Sequence, residues 1–486
     1  MSVNVIPPPA NFRNVLPTSD SSGHRRWLYP RSITGRFTRW RTVVAIVLLV
    51  GLFAGPFVWV DGHPLFMFNV LERRFIFFGV TFWPQDFYLV AFGLITFIVF
   101  VILFTVLYGR VWCGWACPQT IFMEMIFRKI EVLIEGDYNA RQRLDNGPWT
   151  TEKIVKKGIK HAVFLVIAFA ISNTFLAYMI GRDQWYRLIT DNPGEHLAGL
   201  SSMLVFTGVF YLVFARLREI VCTTICPYGR LQGVLLDKNS LIVAYDFIRG
   251  EPRGKKVKHN TDDQSEAIPS GLIPLPIVQS APPKGDCIDC KLCVQVCPTG
   301  IDIRNGTQLE CINCTLCVDA CDDIMHKINR PLGLIRMDSQ EGIEKGKPFR
   351  FTGRIMAYTG VLVALLSIIG FMLISRPMLD VTVLRAPGQL YQHEKGGNVS
   401  NLYLVELVNK TYKPIPIRFK LSRPDAKLVF VQPFSVIPGG ELAKSMFFIY
   451  LPEKSIQENS TPLQIDILVD NKVIKQIKTT FLGPVK

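Results

Sequence analysis

The sequence predicts a multi-domain membrane protein: a transmembrane α-helical bundle of about five spans, a compact cysteine-rich module ahead of the last span, and a C-terminal immunoglobulin-like β-sandwich. Three observations predict it. Five uncharged apolar stretches are long enough, or nearly so, to cross a bilayer. Eight of the 12 cysteines fall in two closely spaced runs. Beyond Arg376 the chain changes to short alternating runs that contain no cysteine.

The apolar stretches run over 42–60, 87–109, 161–180, 198–215 and 355–375, the fourth being the shortest. Across 486 residues, 49% hydrophobic content and a net charge of +15 describe a membrane protein with basic faces. The basic residues sit beside spans, which excludes a nucleic-acid patch on a soluble domain. Arg25, Arg26, Arg31, Arg36, Arg39 and Arg41 precede the first span. A second basic group, from Arg110 to Lys160, lies between the second and third, and a third group follows the fourth. The connections after the first and third spans have nearly balanced charge. By the positive-inside rule the N-terminus and the cysteine-rich module are cytoplasmic and the C-terminal domain lies across the membrane. No cleavable signal peptide is expected, because the first forty residues lack an apolar core. The opening residues, with Pro7, Pro8 and Pro9, read as disordered.

The membrane part reads as a repeat. Spans one and two form a hairpin that runs into Cys113-Gly-Trp-Ala-Cys117-Pro118. Spans three and four form another that runs into Cys222-Thr-Thr-Ile-Cys226-Pro227. Parallel repeats pack about an axis along the membrane normal, which brings both cysteine pairs together. The proline after each pair suits the first turn of a new helix lying at the membrane surface. The expected organisation is therefore 1–41 basic segment, 42–238 four-span domain, 239–285 mobile linker, 286–330 cysteine-rich module, 331–354 connector, 355–375 fifth span and 376–486 β-domain.

Within the module, Cys287, Cys290, Cys293 and Cys297 form one C-x2-C-x2-C-x3-C run, and Cys311, Cys314, Cys317 and Cys321 a second. This spacing holds two 4Fe–4S clusters in bacterial ferredoxins, the fourth cysteine of each run ligating the other cluster. The expected ligands are Cys287, Cys290, Cys293 and Cys321 for the first cluster, and Cys311, Cys314, Cys317 and Cys297 for the second. A zinc site would leave the third cysteine of each run surplus. Disulfides suit small secreted domains. Pro298 follows the first run, whereas Asp322 follows the second.

Cys113, Cys117, Cys222 and Cys226 remain. A separation of four places two thiols on one helical face. Thiolates select Cu(I), zinc and iron–sulfur clusters, so the four are a candidate copper or redox site. Set against this, a free cysteine is often a small buried hydrophobe. Met123 and Met125 follow the first pair, and packing is the plainer role for them. His161 and His196 read as interfacial residues, His326 as a weak candidate for tuning a cluster, and the Phe-rich stretch over 65–83 as an aromatic membrane-interface segment. No C-x-x-C-H haem motif, Rossmann fingerprint or P-loop occurs. In the β-domain, 402–408, 428–431, 446–451 and 463–469 read as strands, with Asp470-Asn471 as a hairpin turn before 473–478.

Taken in order, the Tyr29-Pro-Arg-Ser-Ile-Thr-Gly-Arg-Phe segment, the Thr81-Phe-Trp-Pro-Gln-Asp-Phe run, both C-x3-C-P motifs, the paired ferredoxin motif and the terminal β-domain resemble the FixG/RdxA (CcoG) family of cytochrome c oxidase accessory proteins. The resemblance covers nearly the whole chain. It implies a bacterial inner-membrane protein that reduces Cu(II) to Cu(I) for maturation of cbb3-type oxidases. Oxidase assembly and copper-delivery proteins would be its partners, and its electron donor is left unidentified; homo-oligomerisation is left open. The membrane hairpin with a ferredoxin module also looks like quinol-oxidising subunits of nitrate-reductase systems, though these do not usually carry a fifth span and a terminal domain. A non-enzymatic assembly factor is the third reading.

Overall fold

The computed structural model describes residues 17–19, 22, 24–60, 63–70, 74–192, 194, 196–254, 285–346, 353–388, 390–394, 397–433, 435–456 and 458–484. The opening residues and most of the expected linker lie outside these. The chain divides into two compact units, Met1–Glu72 with Val90–Leu366, and Arg73–Leu89 with Ser367–Lys486.

Among the described residues five helices are long and apolar enough to cross a membrane: Arg36–Phe57, Pro84–Tyr108, Thr151–Ile180, Leu197–Leu217 and Gly353–Ile374. The third starts well before the apolar stretch. Its first turns carry Glu152, Lys153, Lys156, Lys157 and Lys160, and the Thr150 hydroxyl caps it by accepting from the Lys153 N–H at 3.3 Å. Each hairpin then leads to a short amphipathic segment, and a shared aromatic core joins the two repeats. Phe127, from the first, stacks on Phe214 at 4.6 Å between centroids and meets Phe164 edge-on at 4.8 Å.

Beside this core lies a buried ionic network. The Glu131 carboxylate accepts from Arg218 at 2.6 Å, Arg141 at 3.2 Å and Lys160 at 3.4 Å. Glu135 pairs with Lys157 at 2.9 Å and Lys160 at 2.8 Å. Burial by itself would raise the Glu131 pKa, but Arg218, Lys160 and Arg128 outweigh it and hold the carboxyl well below the usual range. The basic residues read from sequence as topology signals thus also tie together the elements that follow the spans.

The cysteine-rich module is closed at its base by an antiparallel pair, Ile242–Tyr245 with Ile335–Asp338. Two helices, Leu292–Gln295 and Leu316–Lys327, pack over a core that includes Val243, Ile301, Ile303, Val318, Met325 and Leu334. An N-terminal strap holds the module to the membrane part. Tyr29 donates to Asp145 at 2.8 Å, and the Arg31 N–H to the Gln295 carbonyl at 2.9 Å. Asp319, on the module's longer helix, accepts from the N–H groups of Phe37 at 3.1 Å and Thr38 at 2.7 Å. It thereby caps the first spanning helix from outside that helix. Gly35 is required there, since a Cβ would lie 2.2 Å from Asp319 Cγ.

The second unit corrects the expectation of an immunoglobulin-like β-sandwich. Its strands form separate open sheets. One runs, in spatial order, Lys427–Phe430, Leu442–Pro452, Asn398–Asn409 and Leu379–Arg385, with Gln392–Glu394 also on Asn398–Asn409. Another runs Arg418–Leu421, Ser460–Val469, Lys472–Leu482, and Ile415–Pro416 pairs separately with Val436–Ile437. Alternation predicts which residues face a core, and Val399, Tyr403, Val405, Phe447, Ile449, Ile465, Ile467 and Phe481 do share one. Alternation says nothing about how strands pair. Asn398–Asn409 and Leu442–Pro452 pair from Asn398↔Pro452 to Val408↔Leu442, and among the described residues no ladder closes one sheet onto the next. The hairpin at Asp470-Asn471 is present, with φ of 51° and 63°.

Candidate iron–sulfur and thiolate site

The two ferredoxin loops are built alike. Cys287-Ile-Asp-Cys290-Lys-Leu-Cys293 matches Cys311-Ile-Asn-Cys314-Thr-Leu-Cys317. In each, the residues flanking the middle cysteine take left-handed backbone: Asp289 and Lys291 at φ 53° and 58°, Asn313 and Thr315 at φ 52° and 63°. Lysine and threonine gain nothing locally from this region, which costs about 1–2 kcal/mol per residue. The surrounding fold imposes it, and the effect is to wrap each loop around a centre. Lys291 and Thr315 then begin the two helices.

Cys287, Cys290, Cys293 and Cys321 line one cavity. Cys297, Cys311, Cys314 and Cys317 line a second, together with Cys293, so the two cavities are adjacent. Burial pushes the Cys293, Cys311 and Cys321 thiols up to about 12, and Cys314 to about 11. Such thiols stay protonated until metal takes them, and binding releases the protons. Soft donors around a dry, compact cavity fit a cubane cluster. Asp322 supports the neighbouring chain, accepting from the Gly333 N–H at 2.8 Å.

The membrane cysteines come together as one group. Cys113 lies in the short helix Val111–Trp115, and Cys117 and Cys226 stand immediately before Pro118 and Pro227, which open new helices. Cys113 interacts electrostatically with Cys117 and Cys226, and Cys222 with all three others. Burial raises Cys113 to about 11 and Cys222 to about 12. The Cys113 thiol donates to Gln232 Oε1 at 2.9 Å, and Gln232 in turn donates to Thr105 at 3.3 Å, so a residue of the second repeat positions a cysteine of the first.

This group abuts the second ferredoxin loop. Cys113 packs against Ile312 and Cys314. Gly114 makes the approach feasible: a Cβ there would sit 2.4 Å from the Ile312 carbonyl oxygen and 2.9 Å from Cys314 Cα. Arg41 fastens the same turn, donating from Nε to the Gly114 carbonyl at 2.7 Å. Arg110 reaches the Leu309 carbonyl just before the loop.

The other candidates stand apart from the thiols. Met123 is buried in the aromatic core, and Met125 Sδ is 4.0 Å from Thr42 Oγ1. His161 pairs with Tyr211 at 2.9 Å, His196 with Asp191 at 3.4 Å, and His326 is exposed on the module's helix. The described part of the Phe-rich stretch forms short strands, Phe66–Asn69, Arg74–Phe77 and Val80–Phe82. Gly114, Gln232 and Asp319 were not singled out from sequence, and Arg41 was read only as a charge ahead of the first span. Only the glycine between the paired cysteines carried a signal, as a position of close backbone approach.

A membrane-spanning chain with cubane-type cysteine cavities belongs to the membrane-associated iron–sulfur oxidoreductases. Family models agree: residues 217–340 match a "4Fe-4S dicluster domain", residues 90–135 a "4Fe-4S binding domain", and residues 369–484 the "IG-like fold at C-terminal of FixG". The last label describes the family's domain; in this chain the strands form the open sheets described above. The nitrogen fixation protein FixG of Rhizobium meliloti is 34% identical over 423 residues, covering 79% of this chain and 77% of its own. Protein RdxB of Cereibacter sphaeroides is 36% identical over 410 residues, covering 81% of each. Protein RdxA of the same organism is 35% identical over 401 residues, covering 79% of each. The chain belongs to the FixG/Rdx family, and it carries two 4Fe–4S clusters. A FixG-related crystal structure from Vibrio parahaemolyticus overlaps 23% of this chain and all of its own at 17% identity, with a TM-score of 0.21 that carries no argument.

Proposed function

We propose that this protein reduces Cu(II) to Cu(I) at the inner membrane and thereby supplies the maturation of a cbb3-type oxidase. Cys287, Cys290, Cys293 and Cys321 hold the first cluster, and Cys311, Cys314, Cys317 and Cys297 the second. When bound, the clusters accept and release single electrons at low potential. The residues of the chain would hold them in adjacent cavities that share Cys293, and would set the second against the paired C-x3-C-P motifs. Copper takes its electron beside Cys113, Cys117, Cys222 and Cys226, where soft sulfur favours the cuprous product. The ferredoxin module faces the cytoplasm, and the β-domain, across the membrane, docks an assembly partner.

The packing of Cys113 against Cys314 carries this reading, because it gives electrons a direct route from the module to the membrane thiols. The test is anaerobic. Reduced protein receives Cu(II), and cluster absorbance is followed alongside Cu(I) captured by a specific chelator. Oxidation matched by Cu(I), and lost when the four membrane cysteines become serine, is the expected result. Clusters that stay reduced with Cu(II) but are oxidised by a quinone would replace copper by quinone chemistry.

A further inference from the structure

The two family matches divide the cysteines unevenly. The dicluster match, 217–340, contains ten of the 12, and two 4Fe–4S clusters use eight. Cys222 and Cys226 are left over. The other match, 90–135, is to a 4Fe–4S binding domain, yet it contains only Cys113 and Cys117. A cluster of that type takes four thiolates. The surplus of one match equals the deficit of the other, and the structure puts these four thiols in one group, with Cys222 in reach of all three others.

We infer that Cys113, Cys117, Cys222 and Cys226 together hold a third 4Fe–4S cluster, shared between the two membrane repeats. Among the described residues no three or more His, Cys, Asp or Glu side chains are drawn together tightly enough for a single metal ion. That holds for the ferredoxin cysteines as well, whose thiols surround a multi-atom core. Cys113 is buried and the other three are half-buried, Gln232 accepts from Cys113, and Tyr228 packs against the cluster that Cys113 forms with Ile312 and Cys314. Such neighbours are the usual second layer around a cluster. The three sites adjoin: Cys293 lines both ferredoxin cavities, and Cys314 of the second cavity clusters with Ile312 and Cys113. Clusters held there would supply single-electron transfer, with no proton or ligand exchanged.

The inference deepens the proposed copper chemistry and rests on it for the direction of flow: the membrane thiols are ligands of a resident centre, and copper is reduced at its edge. Iron and acid-labile sulfide in the anaerobically reconstituted full chain decide it. About twelve irons and twelve sulfides per chain are expected, falling by one third to about eight in Cys222→Ser. Should that variant fail to fold, the wild-type count alone decides. About eight irons in the wild type overturns the third cluster. Cu(I) formation, read separately with the chelator, distinguishes the two ideas. Eight irons with Cu(I) formation intact leaves the copper reading standing with the thiols as copper ligands. Twelve irons without Cu(I) formation keeps the cluster and removes copper.

Discussion

The two membrane repeats end alike and do different work. In the first, Gly109 turns the chain at φ 56°, and three residues, Arg110-Val-Trp, lead to Cys113 in an α-helical turn. In the second, Arg218 turns the chain at φ 53°, and again three residues, Glu219-Ile-Val, lead to Cys222. The helical form differs: Cys113 sits in an α-helical turn and Cys222 in a π-helix over Val221–Ile225, a form often found near functional sites. The arginines diverge as well. Arg110 points to the ferredoxin module, and Arg218 points back to Glu131 of the first repeat. A glycine follows Cys113 where the module docks, and a threonine follows Cys222. One copy has become the socket for the module, and the other braces that socket.

The largest expected effect breaks the brace. Glu131→Ala leaves Arg218, Arg141 and Lys160 without their shared buried carboxylate, and a loss of about 3–5 kcal/mol is expected. Thermal unfolding in detergent, followed by tryptophan fluorescence, measures it. An unchanged midpoint would dissolve the distinction between brace and socket.

The pH dependence of the same tie sharpens it. Arg218, Lys160 and Arg128 outweigh burial and hold the Glu131 pKa below its unfolded value, so its contribution is complete above the ordinary glutamate pKa of about 4.3. It is lost as pH falls through the lower, folded value. The stability gap between wild type and Glu131→Gln is therefore expected to stay flat from neutral pH down to about 5 and to close only in strong acid. A gap that closes near neutrality would point to a different titrating group.

Next comes the socket. Gly114→Ala pushes a methyl group into the Ile312 carbonyl and the Cys314 backbone, with an expected cost of about 1–3 kcal/mol. Cu(I) formation by the reduced protein should slow by roughly tenfold or more, matching a barrier rise of about 1.4 kcal/mol. The smallest effect is in the equivalent position of the other repeat. Thr223→Ala removes a hydroxyl that donates to the Glu219 carbonyl at 3.2 Å, and a change within about 0.5 kcal/mol and no rate loss are expected. Equal slowing by both substitutions would mean the repeats share the docking role.

What the sequence made legible was local. Cysteine spacing and apolar runs of bilayer length are short-range patterns, and the five spans stand where those patterns lie. The Asp470-Asn471 turn was readable for the same reason. The sheets were not, because the pairing of Asn398–Asn409 with Leu442–Pro452 depends on partners far apart in the chain. The extended start of the third helix was hidden because Lys153, Lys156, Lys157 and Lys160 ended the apolar run, while Glu131, Glu135 and Asp145 pair with Lys157 and Lys160, and Glu152 with Lys156. Convergence of the C-x3-C-P pairs followed from the repeat. The docking face did not, since nothing near Gly114 announces Ile312, almost two hundred residues later.

The strap at the N-terminus sets a timetable for assembly. Thr38 meets Asp319 across 281 positions, so the first helix to be synthesised receives its cap from a residue made after four of the five spans. During translation the module's cysteine loops are therefore open to whatever loads iron and sulfide. Once Asp319 seats on Phe37 and Thr38, the first helix is capped and the module is tied down in one step.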